Sequence, residues 1–379
     1  MKYKTSFFDK SAHNINWCIL ISALVLAIFG IIMVYSASCY SAEKQMDNGF
    51  YYAGKQIVGL VLGVIAMIFC YFVDYKFLAK LKYWALGFGI LLLLIVFIPG
   101  VGIESYGAKR WIGFGSFSFQ ASEVAKFCLI IFCAGYMAEH SKKIQTFKGI
   151  LPVLGAGGIM CVLIMLEPNM SITLCVAAVC LIMLLVGGAR IKHLVMLAIP
   201  VVALIPVLIL LEPYRLKRLT AFLDPWASPQ GEGFQLIQSL FSLGSGGWFG
   251  TGLFESRAKY SFLPFSESDF IFSIIGEELG LVGAICVLLV FGILIFSGFK
   301  IAIKANTRFG CLLATGITSV LAVQVVLNVA VVTGLVPPTG LPLPLISAGS
   351  TSLVVFMAAI GVLLNIDRQS KKSLVINRV

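Results

Sequence analysis

Long apolar runs separated by short polar clusters dominate the chain. About 20 helical residues cross a bilayer core, and ten runs approach that length: 16–36, 53–73, 83–99, 121–138, 149–166, 170–187, 193–211, 270–298, 309–334 and 347–366. The two longest predict tilted spans or helices that extend past the lipid. One stretch between runs, 212–269, is too long for a connector, and loops of that length are usually functional. Its first part, Pro213-Tyr-Arg-Leu-Lys-Arg-Leu-Thr-Ala-Phe-Leu223, reads as a basic amphipathic helix at the interface. Asp224-Pro225-Trp226 stops it. A second short helix runs through 234–241, polar at Gln235, Gln238 and Ser239, and leads to a glycine-rich turn at 244–252. The pattern predicts an all-α integral membrane protein of about ten transmembrane helices. It forms a single membrane domain over 1–379, with one large extracytoplasmic loop between helices 7 and 8.

Charge fixes the orientation. Counting inside segments from a cytoplasmic N-terminus, 18 of the 28 basic residues fall on them, at Lys2–Lys10, Lys76–Lys82, Lys142–Lys148, Arg190 and Lys192, Lys300–Arg308, and Arg368–Arg378. The short outside loops hold only Lys44, Lys109 and Arg110. Both termini are therefore expected in the cytoplasm, with the protein multi-pass in an inner or plasma membrane. Hydrophobic residues make up 59% of the 379 and charged residues 12%, an excess that one soluble core of at most ~300 residues does not absorb. The net charge of +11 follows these topology signals, and no basic groove for nucleic acid is expected. Nine of the ten cysteines lie in apolar runs, where they act as small hydrophobes. Without CxxC or HExxH spacing, and with three histidines, no structural metal site is expected.

Ionisable residues within lipid are costly, which makes them informative. Glu123 and Lys126 share a helix face at i,i+3. They read either as an ion pair stapling helices or as a lining of an outer cavity, near Lys109 and Arg110. Asp269, in Ser266-Glu-Ser-Asp-Phe-Ile-Phe, reads either as a helix N-cap or as a functional carboxylate. Glu277 lies about 80° round the helix from it and Glu278 about 180°, so Glu277 is expected to share its cavity. Four prolines in the nine residues from Pro337 to Leu345 exclude helix and predict a loop dipping toward the membrane. Glu167-Pro-Asn-Met-Ser171 predicts a tight outer turn.

Together these stretches resemble the SEDS family (shape, elongation, division and sporulation), which includes FtsW, RodA and SpoVE. The similarity is carried by "GAKRWI" and "FQASEVAK" (107–126), "RLTAFLDPW" (218–226), "GFQLIQSLFSLGSGGWFGTGL" (233–253), "LPFSESDFIFSIIGEELG" (263–280) and "NVAVVTGLVPPTGLPLPLISAGSTSL" (328–353). The "PPTGLPLP" wording is more like the division and sporulation branch. The chain departs from the common pattern at Phe265, at Glu167-Pro-Asn-Met-Ser171 and at Ile346-Ser-Ala-Gly-Ser350.

The resemblance implies a peptidoglycan glycosyltransferase. It would polymerise lipid II, an undecaprenyl-linked disaccharide-pentapeptide, at the outer membrane face. Asp269 matches the family's essential aspartate and is expected to act as general base. Lys109, Arg110, Arg218 and Lys259 are expected to bind the diphosphate, with Glu123, Lys126, Gln235 and Glu277 as further substrate-contacting groups. No cofactor is implied, and a divalent cation is left open. The implied partners are a class B penicillin-binding protein and other divisome membrane proteins. The same features leave open a lipid II flippase and a non-catalytic scaffold.

Overall fold

The computed structural model describes residues 15–105, 108–114, 117–196, 199, 213–260, 262–338 and 340–376. Nine expected spans coincide with helices among these residues: α1 (Trp17–Met46), α2 (Tyr51–Phe72), α3 (Lys82–Ile95), α4 (Ala121–Glu139), α5 (Phe147–Leu166) and α6 (Met170–Val186), then α9 (Ile271–Lys304), α10 (Arg308–Val332) and α11 (Ser350–Ile376). All but α3 and α6 are long and apolar enough to cross a membrane unaided. The expected span 193–211 lies mostly outside the described residues. Between α6 and α9, α7 (Pro213–Leu223) and α8 (Phe234–Gly246) occupy the long loop.

Helix is the form that satisfies every backbone group without water, and side chains close several ends. Asn16, Thr146, Asn169 and Thr307 accept from the backbone at the starts of α1, α5, α6 and α10. Asn169 thereby closes the tight turn at 167–169. Helices α4 and α10 are mostly buried, whereas only about a fifth of α2 is. Helix α2 lies along α11, with Gly59 against Ser350 and Gly63 against Met357, a small-xxx-small approach of the kind lipid-embedded helices use.

Polar contacts sort into two ends. At the end that charge assigns to the cytoplasm, the Tyr75 hydroxyl meets Thr307, Asn365 donates to the Tyr71 carbonyl, Asn306 donates to the Ser370 carbonyl and Arg308 to the Gly187 carbonyl. At the other end, Ser36 reaches Glu278, Gln56 reaches Ser347 and Ser352 reaches Glu123.

Two features depart from the apolar-run reading. Residues between α3 and α4 form a three-stranded antiparallel sheet, β1 (Gly102–Ser105), β2 (Ala108–Phe114) and β3 (Phe117–Gln120), in the order β1-β2-β3. Helix α9 is broken at Gly280 (φ 67°, ψ −171°), a conformation only glycine adopts readily. The chain from 247 to 252 restores the backbone bonds lost there. Thr251 and Gly252 N–H groups donate to the carbonyls of Glu277 and Glu278, and Leu281 and Val282 N–H groups donate to those of Gly247 and Trp248, at 2.9–3.1 Å. A β-carbon on Gly280 would collide with the Gly250 nitrogen. The 24 residues beyond the break are enough to cross lipid by themselves. The expected single span at 270–298 is thus a short helix followed by a longer one.

Candidate active site

The chain before α9 is held one carbonyl at a time. The Glu267 carbonyl accepts from Ala348 N–H at 2.8 Å, the Ser268 carbonyl from the Ser347 hydroxyl at 2.6 Å, and the Asp269 carbonyl from the Asn328 amide at 2.9 Å. Two donors come from the proline-rich loop and the third from α10. That loop is itself fixed: Gln56 of α2 donates to the Ser347 carbonyl and accepts from Gly349 N–H, and the second N–H of Asn328 goes to the Leu341 carbonyl. The non-helical loop is thus packed on protein, where irregular backbone at membrane depth is tolerated.

Asp269 emerges from this seat half-buried. The N-cap of α9 is Phe270, one residue later, and makes no side-chain cap bond. Asp269 thus precedes the cap position of α9 by one residue. Across from the carboxylate, Gly340 turns at φ +68°, and a β-carbon there would lie 3.1 Å from Asp269 Oδ2. Two residues before Asp269, burial raises the Glu267 carboxyl above its ordinary value.

The other expected site residues fall into separate groups. Glu277 is 2% exposed and does not share the Asp269 cavity. It accepts from the Ser256 hydroxyl (2.6 Å) and from Arg257 N–H (2.8 Å). Glu278 accepts from Ser36 (2.5 Å) and faces Lys259 Nζ at 3.8 Å. Lys259 also donates to the Phe254 carbonyl. The turn 255–259 therefore folds onto two carboxylates of α9 and turns Lys259 inward. Arg257 is the exposed cation of that turn. It is one of the basic residues of the 212–269 loop, and nothing in the sequence there distinguishes it from Lys259.

Lys126 is 2% exposed and Glu123 1%. Lys126 donates to Glu123 (2.8 Å) and to Gln324 (3.0 Å) and lies 4.8 Å from the Phe356 ring centre, while Ser352 donates to Glu123. The pair ties α4, α10 and α11 together instead of facing an open cavity. Arg110, on β2, donates to the carbonyls of Glu167 (3.0 Å) and Pro168 (2.6 Å), docking the sheet on the α5–α6 turn. Glu167 is fully buried. Burial pushes its carboxyl up to about 8, against the opposing pull of Arg110.

Gln235 is half-buried on α8, one turn before Ser239. Ser239 donates to the Val332 carbonyl and meets the Ser273 hydroxyl at 2.8 Å, joining α8 to α9 and α10. The side chains of Lys109 and Arg218 lie outside the described part of the structure. Among the described residues, no three His, Cys, Asp or Glu side chains cluster as a metal site would need.

Residues 16–372 match the family model described as cell cycle protein, FtsW/RodA/SpoVE. The chain is 42% identical over 354 residues to stage V sporulation protein E of Bacillus subtilis (strain 168), covering 93% of this chain and 97% of that protein. It is 38% identical over 363 residues to the probable peptidoglycan glycosyltransferase FtsW of Geobacter metallireducens, covering 96% and 97%. A chain solved in a peptidoglycan synthase complex that coordinates polymerization and crosslinking superposes with a TM-score of 0.79 at 28% identity, covering 95% of this chain and 99% of that one.

Proposed function

The chain belongs to the FtsW/RodA/SpoVE family, and from that premise we propose that it is a peptidoglycan glycosyltransferase of the cytoplasmic membrane, with Asp269 as its general base. The substrate in this reading is lipid II, polymerised at the outer face for division or sporulation. The observation that carries the residue assignment is a contrast among outer-end acids. Glu123, Glu167, Glu277 and Glu278 are at most 2% exposed, whereas Glu267 and Asp269 are half-buried on a run whose three successive carbonyls are held, and of these two it is Asp269 whose carboxylate faces the Gly340 turn. It combines a fixed backbone with access to a substrate.

Glycosyl transfer requires the acceptor's 4-hydroxyl to lose its proton as it attacks the donor's anomeric carbon, while undecaprenyl diphosphate departs. A fixed carboxylate within hydrogen-bond reach of that hydroxyl takes the proton. A carboxylate is a weak base, and its advantage here is position rather than strength. The leaving diphosphate needs cations. Arg110 and Lys259 donate to main-chain carbonyls and Lys126 is enclosed, so Arg257, Lys109 and Arg218 take that role in this reading. Gln235 lies on the helix beside the site.

The crosslinking partner is a class B penicillin-binding protein, a proposal that rests on the likeness to a chain from a synthase complex. Polymerisation of lipid II by the purified protein with that partner tests the reading. Asp269→Asn and Asp269→Ala should lose at least about 10²-fold in rate while keeping the wild-type melting temperature. Retained polymerisation in a folded Asp269→Ala variant would remove Asp269 from the chemistry.

A further inference from the structure

We propose that Asn328 is a positioning residue for Asp269. This rests on the reading of Asp269 as the base. Asn328 lies in the apolar helix α10, 1% exposed. Both hydrogens of its amide go to carbonyls, Asp269 at 2.9 Å and Leu341 at 2.7 Å. Those two carbonyls belong to segments separated by some seventy residues, and the amide is the clasp between them. Its own Oδ1 is buried without a hydrogen-bond partner among the described residues.

The two acceptors also fix the chemistry of the side chain. A carboxylate would set oxygen against two carbonyl oxygens, and leucine would leave both carbonyls without a donor. Leu341 follows Gly340, whose Cα borders the Asp269 carboxylate. The clasp therefore sets the spacing between the carboxylate and the wall it faces. Loss of the clasp frees the last of the three held carbonyls, the one on Asp269 itself. A displacement of about 1 Å at a reacting group costs as much as 10²-fold in rate.

The test compares Asn328→Leu with Asn365→Leu in the full protein with its partner. Asn365 is a fully buried asparagine at the opposite end, with the same kind of carbonyl bond, to Tyr71. The inference expects Asn328→Leu to lower kcat about 10- to 100-fold with KM for lipid II within twofold. It also expects a shifted acid limb of the pH–rate profile. Asn365→Leu should lower the melting temperature comparably and leave kcat and the pH profile of the folded protein intact. Equal kinetic effects of the two variants would overturn the inference.

If Asn328→Leu does not fold, Asn328→Gln keeps the amide and moves it by one methylene. Lowered kcat at a normal melting temperature supports the inference, and wild-type kcat overturns it. Asp269→Asn separates the layers. If it is inactive while Asn328→Leu is fully active, positioning alone fails. If Asp269→Asn is active, the base assignment fails and takes this inference with it.

Discussion

A β-carbon at Gly340 would sit 3.1 Å from Oδ2 of Asp269, and Gly340 itself turns at φ +68°. An alanine there meets two obstacles. The left-handed backbone costs about 1–2 kcal/mol for a residue with a β-carbon, and the new methyl presses on the carboxylate. Gly340→Ala is expected to lower polymerisation at least about tenfold while the melting temperature falls by only a few degrees. Lipid II binding, measured separately, should stay near wild type. A variant with full polymerisation would show that the carboxylate does not need this spacing.

The Glu123–Lys126 pair predicts a different pattern. Both residues are almost wholly buried, and removal of one partner leaves a charge enclosed. Lys126→Met or Glu123→Gln alone should destabilise by about 3–5 kcal/mol. The double variant should recover much of that loss, because no unpaired charge remains. A double-mutant cycle on unfolding reads this directly. Strictly additive losses would mean that the two residues act independently, as substrate-facing groups would.

The spans were legible because the length of an apolar run is a local property, and the clusters from Lys76 to Lys371 repeat one signal at every cytoplasmic turn. Asp269 is singled out by its surrounding motif, not by any property of the residue alone. The setting of Glu277 was not legible, since its partners Ser256 and Arg257 arrive by a chain reversal that helical angles do not contain. The break at Gly280 is hidden because apolar residues continue on both sides of it. Asn328 did carry a signal, since an amide within an apolar span is expensive, but its partners at Asp269 and Leu341 are set by the fold. In the small sheet from Gly102 to Gln120 the outer strands have four residues each, and the seven of β2, Ala-Lys-Arg-Trp-Ile-Gly-Phe, do not alternate.

The turn 255–259 separates two neighbouring cations. Lys259 points inward to Glu278 and the Phe254 carbonyl, whereas Arg257 is exposed. Lys259→Ala should therefore lower the melting temperature, leaving Glu278 buried without its cation, and leave KM for lipid II unchanged in the folded protein. Arg257→Ala should do the reverse, raising KM several-fold at an unchanged melting temperature. Arg257 offers a charge-assisted contact to a phosphate, so the KM effect should weaken as salt is raised. The opposite assignment of effects would return the anion-binding role to Lys259.

Glu167 makes stability depend on pH in a direction unusual for a carboxyl. Its folded value is pushed up to about 8 from an ordinary 4.5, by burial first, with Arg110 pulling the other way. Between those values the folded protein holds a proton that the unfolded chain has released. Unfolding then releases a proton, so stability is fully present below about pH 4.5, declines as pH rises and levels off above about 8. The decline is at most about 1.4 kcal/mol for each pH unit crossed in that window, and relaxation of the α5–α6 turn toward Arg110 would reduce the total. Glu167→Gln removes the titration and keeps the shape. Its melting temperature should match wild type near pH 5 and exceed it by several degrees near pH 8.5. The test is the difference between the two proteins across that range, since other groups titrate in both. A constant difference would mean that Glu167 is already ionised in the fold, with Arg110 as its counter-charge.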